Sequence, residues 1–542
     1  MQTWTQVYNP LHNQFLSTLI AAIPLLVLGY LLGIRKMASH KAVIISWLVS
    51  SVVAVLGFTM PVKMVVLSSF LGFLNGGMIM WIIFCAILFY NVLVETKQFD
   101  VISGSLASLS NDRRIQAVLI AFAFGTLLEA IAGGGTPVAI TAAILVGMGF
   151  EPFYAAKLCL ITNTAPVVFG AVGIAVVMLS TVTGLPLNQL SAMAGRQTPV
   201  LSLIVPLMLV WMMSGWKGMK QVWLPVFSIG VVFALVQSIV ANVMGPLLAD
   251  VLASVITIAF SVMLLKVWHP REEFHFQGED KNAAKQEEVH YSFKQLMLAW
   301  YPFVILIIIV GLWGSPSFAK ILNNYTSFYP IPGLDKVVLR VAPIVSKTSP
   351  YPAVFGFGWL SSPGTAVLIT TILSVIFQPK GLAIVFKQFG RTLSQLRYAI
   401  VTGVIVLGLA WIMNYGGLTS TLAIALSMTG VLFPFFSPFL GWIGVFLTGS
   451  DTSSNALFGN LQIVTAHQIG ISQVLAAATN STGGSMGKMI SPISLAVATS
   501  ATGLTGREGE LFRALFKYSL ILTAIIGIIA TLQAYVFPWM IP

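Results

Sequence analysis

The chain has 542 residues, of which 57% are hydrophobic and only 8% are charged, with 28 Lys and Arg against 16 Asp and Glu. Soluble domains carry about 25% charged residues, so this composition excludes a soluble enzyme, a disordered protein and a nucleic-acid-binding protein. The net charge of +12 is carried mostly by short loops between apolar stretches, as the positive-inside rule predicts for cytoplasmic loops.

Uncharged apolar stretches follow one another along the chain, and the mean hydropathy is +0.92. Stretches long enough for the roughly 20 residues of a membrane-spanning helix include residues 15–34, 42–62, 197–216, 221–249, 295–319 and 518–542. An outer-membrane barrel is excluded, because its strands alternate over segments of about 10 residues. The sequence therefore predicts an all-α polytopic membrane protein with about 12–14 transmembrane helices.

The longest hydrophilic stretch, residues 269–294, separates two predicted halves. It mixes acidic and basic residues and has few apolar anchors, which is typical of a solvated interdomain loop. We therefore expect an N-terminal transmembrane half at residues 1–268 and a C-terminal transmembrane half at residues 295–542.

Each half contains two breaks in an apolar run, in the same order. A small-residue break lies at residues 133–137 in the first half and 449–455 in the second, and an Asn-centred turn follows at residues 162–166 and 479–484. The spacing is 27 residues in both halves, from Thr136 to Asn163 and from Ser453 to Asn480. This shared order and spacing indicates an internal repeat, with broken helices near residues 129–170 and 447–492.

The breaks are the predicted substrate site. Inside lipid, irregular backbone survives only where it is buried in protein or lines a watery cavity, and many secondary transporters hold substrate between paired broken helices. The exposed helix N-termini favour anions, and hydroxyl and amide side chains can bind a carboxylate and a hydroxyl group. The predicted substrate-binding residues are Thr136, Asn163, Thr164, Ser453, Ser454, Asn455, Asn480, Ser481 and Thr482. Each of them, taken alone, also fits a helix cap or an interhelical hydrogen bond.

Two acids lie in these apolar regions, Glu129 before the first break and Asp451 inside the third. Ionisable residues within membrane segments are expensive and usually functional, and desolvation disfavours their charged form, which suits proton coupling. A structural alternative is a fixed ion pair with Lys157 or Lys488. Lys488 is also a candidate for attracting the substrate carboxylate.

Other functional classes fit the sequence less well. An anion channel could use the same breaks as a filter. A membrane-embedded enzyme would need a nucleophile with its base or a set of metal ligands, which the breaks lack, and the glycine run at residues 133–135 has no following Gly-Lys-Ser/Thr of a nucleotide-binding loop. We expect neither enzymatic activity nor a cofactor or metal site, and we expect Cys85 and Cys159 to have packing roles.

Several long stretches resemble the lactate permease family of bacterial secondary transporters, which also contains glycolate permeases. They are residues 128–143, 162–170, 195–197, 436–442, 444–458 and 482–492. The resemblance implies proton-coupled uptake of L-lactate, and also of D-lactate and glycolate, by a multi-pass protein of the bacterial inner membrane. It also implies inverted repeats with re-entrant hairpins, whose tips would be the turns at Asn163 and Asn480. A glycolate-preferring or sodium-coupled symporter remains an alternative.

The chain departs from the family pattern at the first break. Members of the family often read Glu-Gly-x-Ala-Gly-Phe-Gly-x-Pro, where this chain has Ala130 for the first glycine and Gly134 for the phenylalanine. The missing aromatic ring is expected to enlarge the pocket and to change substrate preference. In our hypothesis lactate lies between the two breaks, its 2-hydroxyl group bonds to Thr136 or Asn455, and Glu129 or Asp451 carries the proton.

Overall fold

The computed structural model describes residues 3–276, 291–378 and 380–542, and helices dominate them. The described helices before residue 269 are α1 (Gln14–Gly29), α2 (Ser39–Val52), α3 (Val62–Glu95), α4 (Gln98–Ala107), α5 (Arg113–Ala117), α6 (Gly125–Ile131), α7 (Thr136–Gly147), α8 (Pro152–Thr162), α9 (Gly170–Thr183), α10 (Leu187–Ala194), α11 (Thr198–Val243) and α12 (Ala249–Val267). π-Helical turns extend α1 and α2 and join α5 to α6.

The described helices after residue 290 are α13 (Phe293–Gly314), α14 (Pro316–Asn323), α15 (Pro363–Leu373), α16 (Gly381–Tyr415), α17 (Leu418–Ser427), α18 (Phe433–Thr448), α19 (Asp451–Ile469), α20 (Gln473–Lys488), α21 (Pro492–Ala501) and α22 (Glu508–Tyr535). Short strands are β1 (Trp4–Thr5), β2 (Ser327–Pro330), β3 (Val338–Arg340), β4 (Ser349–Pro350) and β5 (Val354–Phe357). β1 pairs in parallel with β3, which pairs antiparallel with β4, and β2 pairs antiparallel with β5.

The prediction of an all-α polytopic membrane protein is confirmed. Ten helical segments of the described chain are long and apolar enough to cross a membrane, or eleven if the bent pair of Pro152–Thr162 and Val167–Thr183 is one broken span. The predicted 12–14 crossings exceed this count because some apolar stretches fold into helices too short to span, such as α7, α15 and α17. Conversely, α11 has 46 residues and a non-helical Gly215; at 1.5 Å per residue it is long enough for two crossings.

Three of the four predicted breaks are present, with changed limits, and one is wrong. The chain leaves helical geometry between α6 and α7, between α8 and α9, and at Gly449 and Ser450 between α18 and α19. The turn predicted at residues 479–484 is absent: these residues are buried inside the continuous helix α20, and the break follows Lys488 instead. The equal spacing of 27 residues therefore does not join equivalent breaks.

The two halves contact each other closely. α3 packs against α16, where a Cβ atom on Gly72 would lie 2.6 Å from the carbonyl oxygen of Leu407. Within the second half, α18 packs against α20 equally closely, since a Cβ on Gly441 would lie 1.8 Å from the carbonyl oxygen of Asn480. Small residues allow helices to approach this closely in membranes. Within the predicted hydrophilic segment 269–294, residues 277–290 lie outside the described residues.

Candidate functional site

A cavity of about 410 Å³ lies where the break between α6 and α7 and the break between α18 and α19 face α3 and α16. Its polar wall includes Glu129, Thr136, Asp451, Ser453 and Lys488. The apolar wall comes from α3, α9 and α16 and includes Met80, Ile83, Ile87, Ile174, Met178 and Val406. The cavity therefore combines a charged end with an apolar side, as expected for a small amphipathic anion.

The first break presents the N-terminus of α7 to this cavity. Gly133, Gly134 and Gly135 have φ values of 58°, 65° and 88°, a left-handed conformation that side chains disfavour. These three residues reverse the chain before Thr136 begins α7, and no side chain caps that helix. Since the first N–H groups of a helix have no intrahelical partner, the break provides donors and a positive dipole end at the cavity.

Gly134 marks the departure from the family pattern and lies in the cavity wall. A Cβ atom built on it would meet no atom within 4 Å. The space that a side chain at this position would enter is thus open.

The break between α18 and α19 presents the N-terminus of α19 to the same cavity. Gly449, with φ 72°, ends α18, and Ser450 caps α19 by accepting a hydrogen bond from the backbone N–H of Ser453 at 3.3 Å. Asp451, Thr452 and Ser453, the first residues of α19, all line the cavity. Two helix N-termini from different halves of the chain therefore reach one cavity.

Glu129 and Lys488 form an ion pair in the cavity wall. The ammonium group of Lys488 donates to Oε1 of Glu129, and the side chains are only 7% and 2% exposed. The amide of Asn163 donates to Oε2 of Glu129 at 2.8 Å. Gly170 leaves room for the carboxylate, since a Cβ there would lie 3.0 Å from Oε1. Of the two sequence-based alternatives for Lys488, the structure thus contains the ion pair, while Lys157 lies beside tyrosine rings.

Asp451 has a different environment from Glu129. Its Oδ2 atom accepts a hydrogen bond from the hydroxyl of Ser481, and its Oδ1 atom has no hydrogen-bond partner among the described residues. No described Lys, Arg or His lies within ion-pair distance of this carboxyl group. Asp451 is therefore the less satisfied of the two cavity acids when ionised.

A buried chain of hydrogen bonds extends from Asp451 between α19 and α20. The amide of Asn455 donates to Ser481 at 3.1 Å, and the amide of Asn480 donates to Asn455 at 2.9 Å. Gln462 donates in turn to the side-chain oxygen of Asn480 at 3.1 Å. These polar side chains satisfy one another and hold Ser481 against Asp451.

The structure thus divides the predicted site residues into two groups. Thr136 and Ser453 line the cavity together with Glu129, Asp451 and Lys488. The remaining ones are buried behind the wall: Asn163, Thr164, Ser454, Asn455, Asn480, Ser481 and Thr482.

Three residues of the buried group bond away from the cavity acids. Thr164 donates to the carbonyl of Ile161 at 2.7 Å, Ser454 donates to the carbonyl of Gly441 at 3.0 Å, and Thr482 donates to Gln197 at 2.6 Å. For these three, the helix-capping or interhelical alternative describes the observed contacts.

Sequence reasoning missed the wall contributed by α16 and a buried acid that forms no ion pair among the described residues. Gln395 and Thr402 line the cavity from α16; they lie seven residues apart on one helix, a spacing that places them on the same face. Asp250 is 1% exposed at the start of α12. It directly follows the apolar stretch 221–249, so the rule that singled out Glu129 would also have found it.

Comparison with known proteins agrees with this geometry. The chain matches the family model described as L-lactate permease over residues 17–537. It is 45% identical to the glycolate permease GlcA and 44% identical to the L-lactate permease of Escherichia coli strain K12, each over 100% of both chains. It is 42% identical to the L-lactate permease of Bacillus subtilis strain 168, over 99% of this chain and 100% of that protein.

Proposed function

The chain belongs to the L-lactate permease family, and on that premise we propose that it carries lactate and glycolate, together with protons, across the bacterial inner membrane. Members of this family are permeases, so the protein is a multi-pass transporter and not an enzyme. Relatives named for lactate and for glycolate are equally similar to it. The substrate class is therefore a short 2-hydroxymonocarboxylate.

The observation that supports this proposal is one cavity that holds a lysine, two acids and two helix N-termini. An ammonium group has three donors, and Lys488 uses one of them on Glu129. The other donors can bind the substrate carboxylate without breaking the ion pair. The apolar wall, with Ile174 and Met178, suits the methyl group of lactate.

The 2-hydroxyl group of the substrate is assigned to Thr136. Asn455, the other residue considered from the sequence, does not line the cavity, and its amide already donates to Ala175 and Ser481. Thr136 lies in the wall at the N-terminus of α7, and its hydroxyl can both donate and accept. Ser453 lies in the first turn of α19 and lines the same cavity.

Charge balance favours coupling to one proton, carried by Asp451. With both acids ionised, Lys488, Glu129 and Asp451 leave the empty cavity with one net negative charge. A lactate anion that enters with a proton on Asp451 leaves that charge unchanged. Without the proton, repulsion between lactate and Asp451 at about 6 Å costs about 3 kcal/mol at an effective dielectric of about 20, or about a hundredfold in affinity.

The two halves, residues 1–268 and 295–542, are proposed to be inverted repeats that meet at the cavity. Each half contributes one acid and one helix N-terminus to it: Glu129 and α7 from the first, Asp451 and α19 from the second. Broken helices at a repeat interface are the arrangement that lets two units move around a fixed substrate site.

The test is uptake of labelled L-lactate into proteoliposomes that contain only this protein, with an imposed inward proton gradient. We expect accumulation above equilibrium, abolished by a protonophore and competed by D-lactate and glycolate. Uptake that never exceeds equilibrium would instead indicate a channel, and accumulation that needs a sodium gradient would overturn proton coupling.

One variant and its control test whether Asp451 carries the proton. Asp451→Asn is expected to abolish accumulation against the lactate gradient, because it cannot bind and release a proton. Thr164→Val is the matched control, since the Thr164 hydroxyl bonds only to the backbone of its own turn among the described residues. An Asp451→Asn variant that still accumulates lactate would exclude Asp451 as the proton carrier.

A further inference from the structure

Asp250 is a buried acid with no counterion. It lies in the first turn of α12 and is 1% exposed. Its Oδ1 atom accepts a hydrogen bond from the amide of Gln237 on α11 at 2.7 Å, while Oδ2 has no partner among the described residues. The Gln237 side chain is itself held by the hydroxyl of Ser202 at 3.2 Å. Among the described residues, no basic side chain forms an ion pair with Asp250.

This environment is unfavourable for an unpaired charge. Burying such a charge costs several kcal/mol even after relaxation, whereas the N-terminal dipole of α12 offers at most about 2 kcal/mol. One neutral donor, Gln237, cannot offset the difference.

The ionisable group that faces Asp250 is Glu129. α6 packs on α12 through a hydrogen bond of 3.0 Å from Ser254 to Thr126, one turn before Glu129, and the charge of Glu129 acts on Asp250. α11 contributes the neutral Gln237, and neither α9 nor the segment Val118–Phe124 contains an ionisable residue. An ionised Glu129 would repel a negative charge on Asp250.

A strained segment of backbone connects the cavity wall to the chain that leads into Asp250. Ala171 and Val172 have φ values of 45° and 57°, and a β-branched residue in this region is a genuine outlier. Ala171 lines the cavity, and a Cβ on Gly173 would lie 2.6 Å from the carbonyl of Pro246, four residues before Asp250. Strained backbone persists only where the surrounding structure enforces it, and it is concentrated at functional and switching sites.

We propose that Asp250 is a second proton-binding residue of the transport cycle, which exchanges its proton with the cavity when the strained residues 171–173 move. The inference rests on the proposed proton-coupled function. It adds to that function a proton site behind the cavity wall, which responds to the charge of Glu129 and makes no contact with the substrate.

The experiment measures uptake of labelled L-lactate against pH in proteoliposomes of the full chain. A residue that binds a proton in one state and releases it in another makes the process pH-dependent. Because Asp451 still binds its proton, Asp250→Asn is expected to leave the pH dependence of uptake about half as steep. Thr257→Val is the matched control on the same helix, since its buried hydroxyl donates to no described residue; its pH profile should equal that of the wild type.

A second variant covers the case in which Asp250→Asn fails to fold. Gln237→Leu removes the donor that favours the ionised carboxylate, so the proton stays bound at higher pH and the half-maximal pH of uptake should rise. Infrared difference spectra induced by lactate should contain a protonated-carboxyl band that Asp250→Asn lacks.

Unchanged pH profiles in both variants, or an infrared band that persists in Asp250→Asn, would overturn the inference. Failure of the wild type to accumulate lactate would overturn the proposed function instead, and the infrared band in the ligand-free protein would still test whether Asp250 is protonated.

Discussion

Replacing Lys488 by methionine leaves the carboxylate of Glu129 buried with Asn163 as its remaining described donor. Methionine has nearly the length of the lysine stem, so the change removes charge with little change in packing. Removing one partner of a buried ion pair costs about 3–5 kcal/mol, and the Coulomb energy of two charges about 4 Å apart at an effective dielectric of about 20 is about 4 kcal/mol. We expect a loss of unfolding free energy of that size.

The double variant Glu129→Gln/Lys488→Met distinguishes the interaction energy of the ion pair from the effect of each single substitution. Removing both charges leaves no unpaired ion, so the double variant should recover most of the stability that the single variant loses. The assay is a reversible unfolding titration in mixed micelles for wild type, both singles and the double, analysed as a double-mutant cycle. Lactate uptake by the double variant should remain low, because the substrate carboxylate has lost its cation.

The exposed pair of Arg507 and Glu510, with side chains 46% and 48% exposed, is the reference for a weak interaction. Water and salt screen exposed pairs of this kind, so Arg507→Met should leave the stability nearly unchanged. If Lys488→Met costs as little as Arg507→Met, or if the double variant loses the sum of the two singles, the reasoning about the buried pair is refuted.

Three further substitutions test helix packing, a buried arginine and the contact behind Asp451. Gly441→Ala forces a methyl group to within 1.8 Å of a backbone carbonyl of α20 and should sharply lower the yield of folded protein, whereas Gly77→Ala, with nothing within 4 Å, should stabilise slightly; equal yields would contradict the close packing. Arg114→Met breaks the fully buried ion pair of Arg114 with Asp112, whose two hydrogen bonds measure 3.0 and 2.6 Å. The change should cost about 3–5 kcal/mol of unfolding free energy, and a cost below 1 kcal/mol would show that water reaches the ion pair. Ser481→Ala removes the described donor to Asp451 and should reduce lactate uptake about tenfold, whereas Thr164→Val should change it little. Equal uptake rates in the two variants would show that the hydrogen bond from Ser481 does not matter for the function of Asp451.

Local composition predicted most of the secondary structure that forms the site. Three consecutive glycines before Thr136 and the Gly-Ser pair before Asp451 predicted interruptions, because glycine tolerates the left-handed conformations observed at residues 133–135 and 449. These properties belong to the residues themselves and need no knowledge of their neighbours. The same reasoning failed for Asn480, whose polar surroundings resembled a turn.

The reason for that failure lies in packing. Residues 479–484 are polar and small because α20 lies against α18 with almost no space between the backbones, and because its polar side chains bond to Asn455 and Gln197. A polar residue that bonds across a helix interface and a polar residue in a broken helix have the same local sequence. Which of the two occurs depends on the neighbouring helix.

The amino-acid sequence by itself determined the class of the protein, the apolar segments and three of the breaks, because the transfer of side chains into lipid and the conformational freedom of glycine are local properties. Only the tertiary structure decided which charges meet. Glu129 and Lys488 are 359 residues apart and form one ion pair, Asp451 receives its hydrogen bond from Ser481, and Asp250 is buried with Gln237 as its described donor. Electrostatic interactions depend on distance and burial in space, and these arise only when the helices pack together, within each half and between the halves.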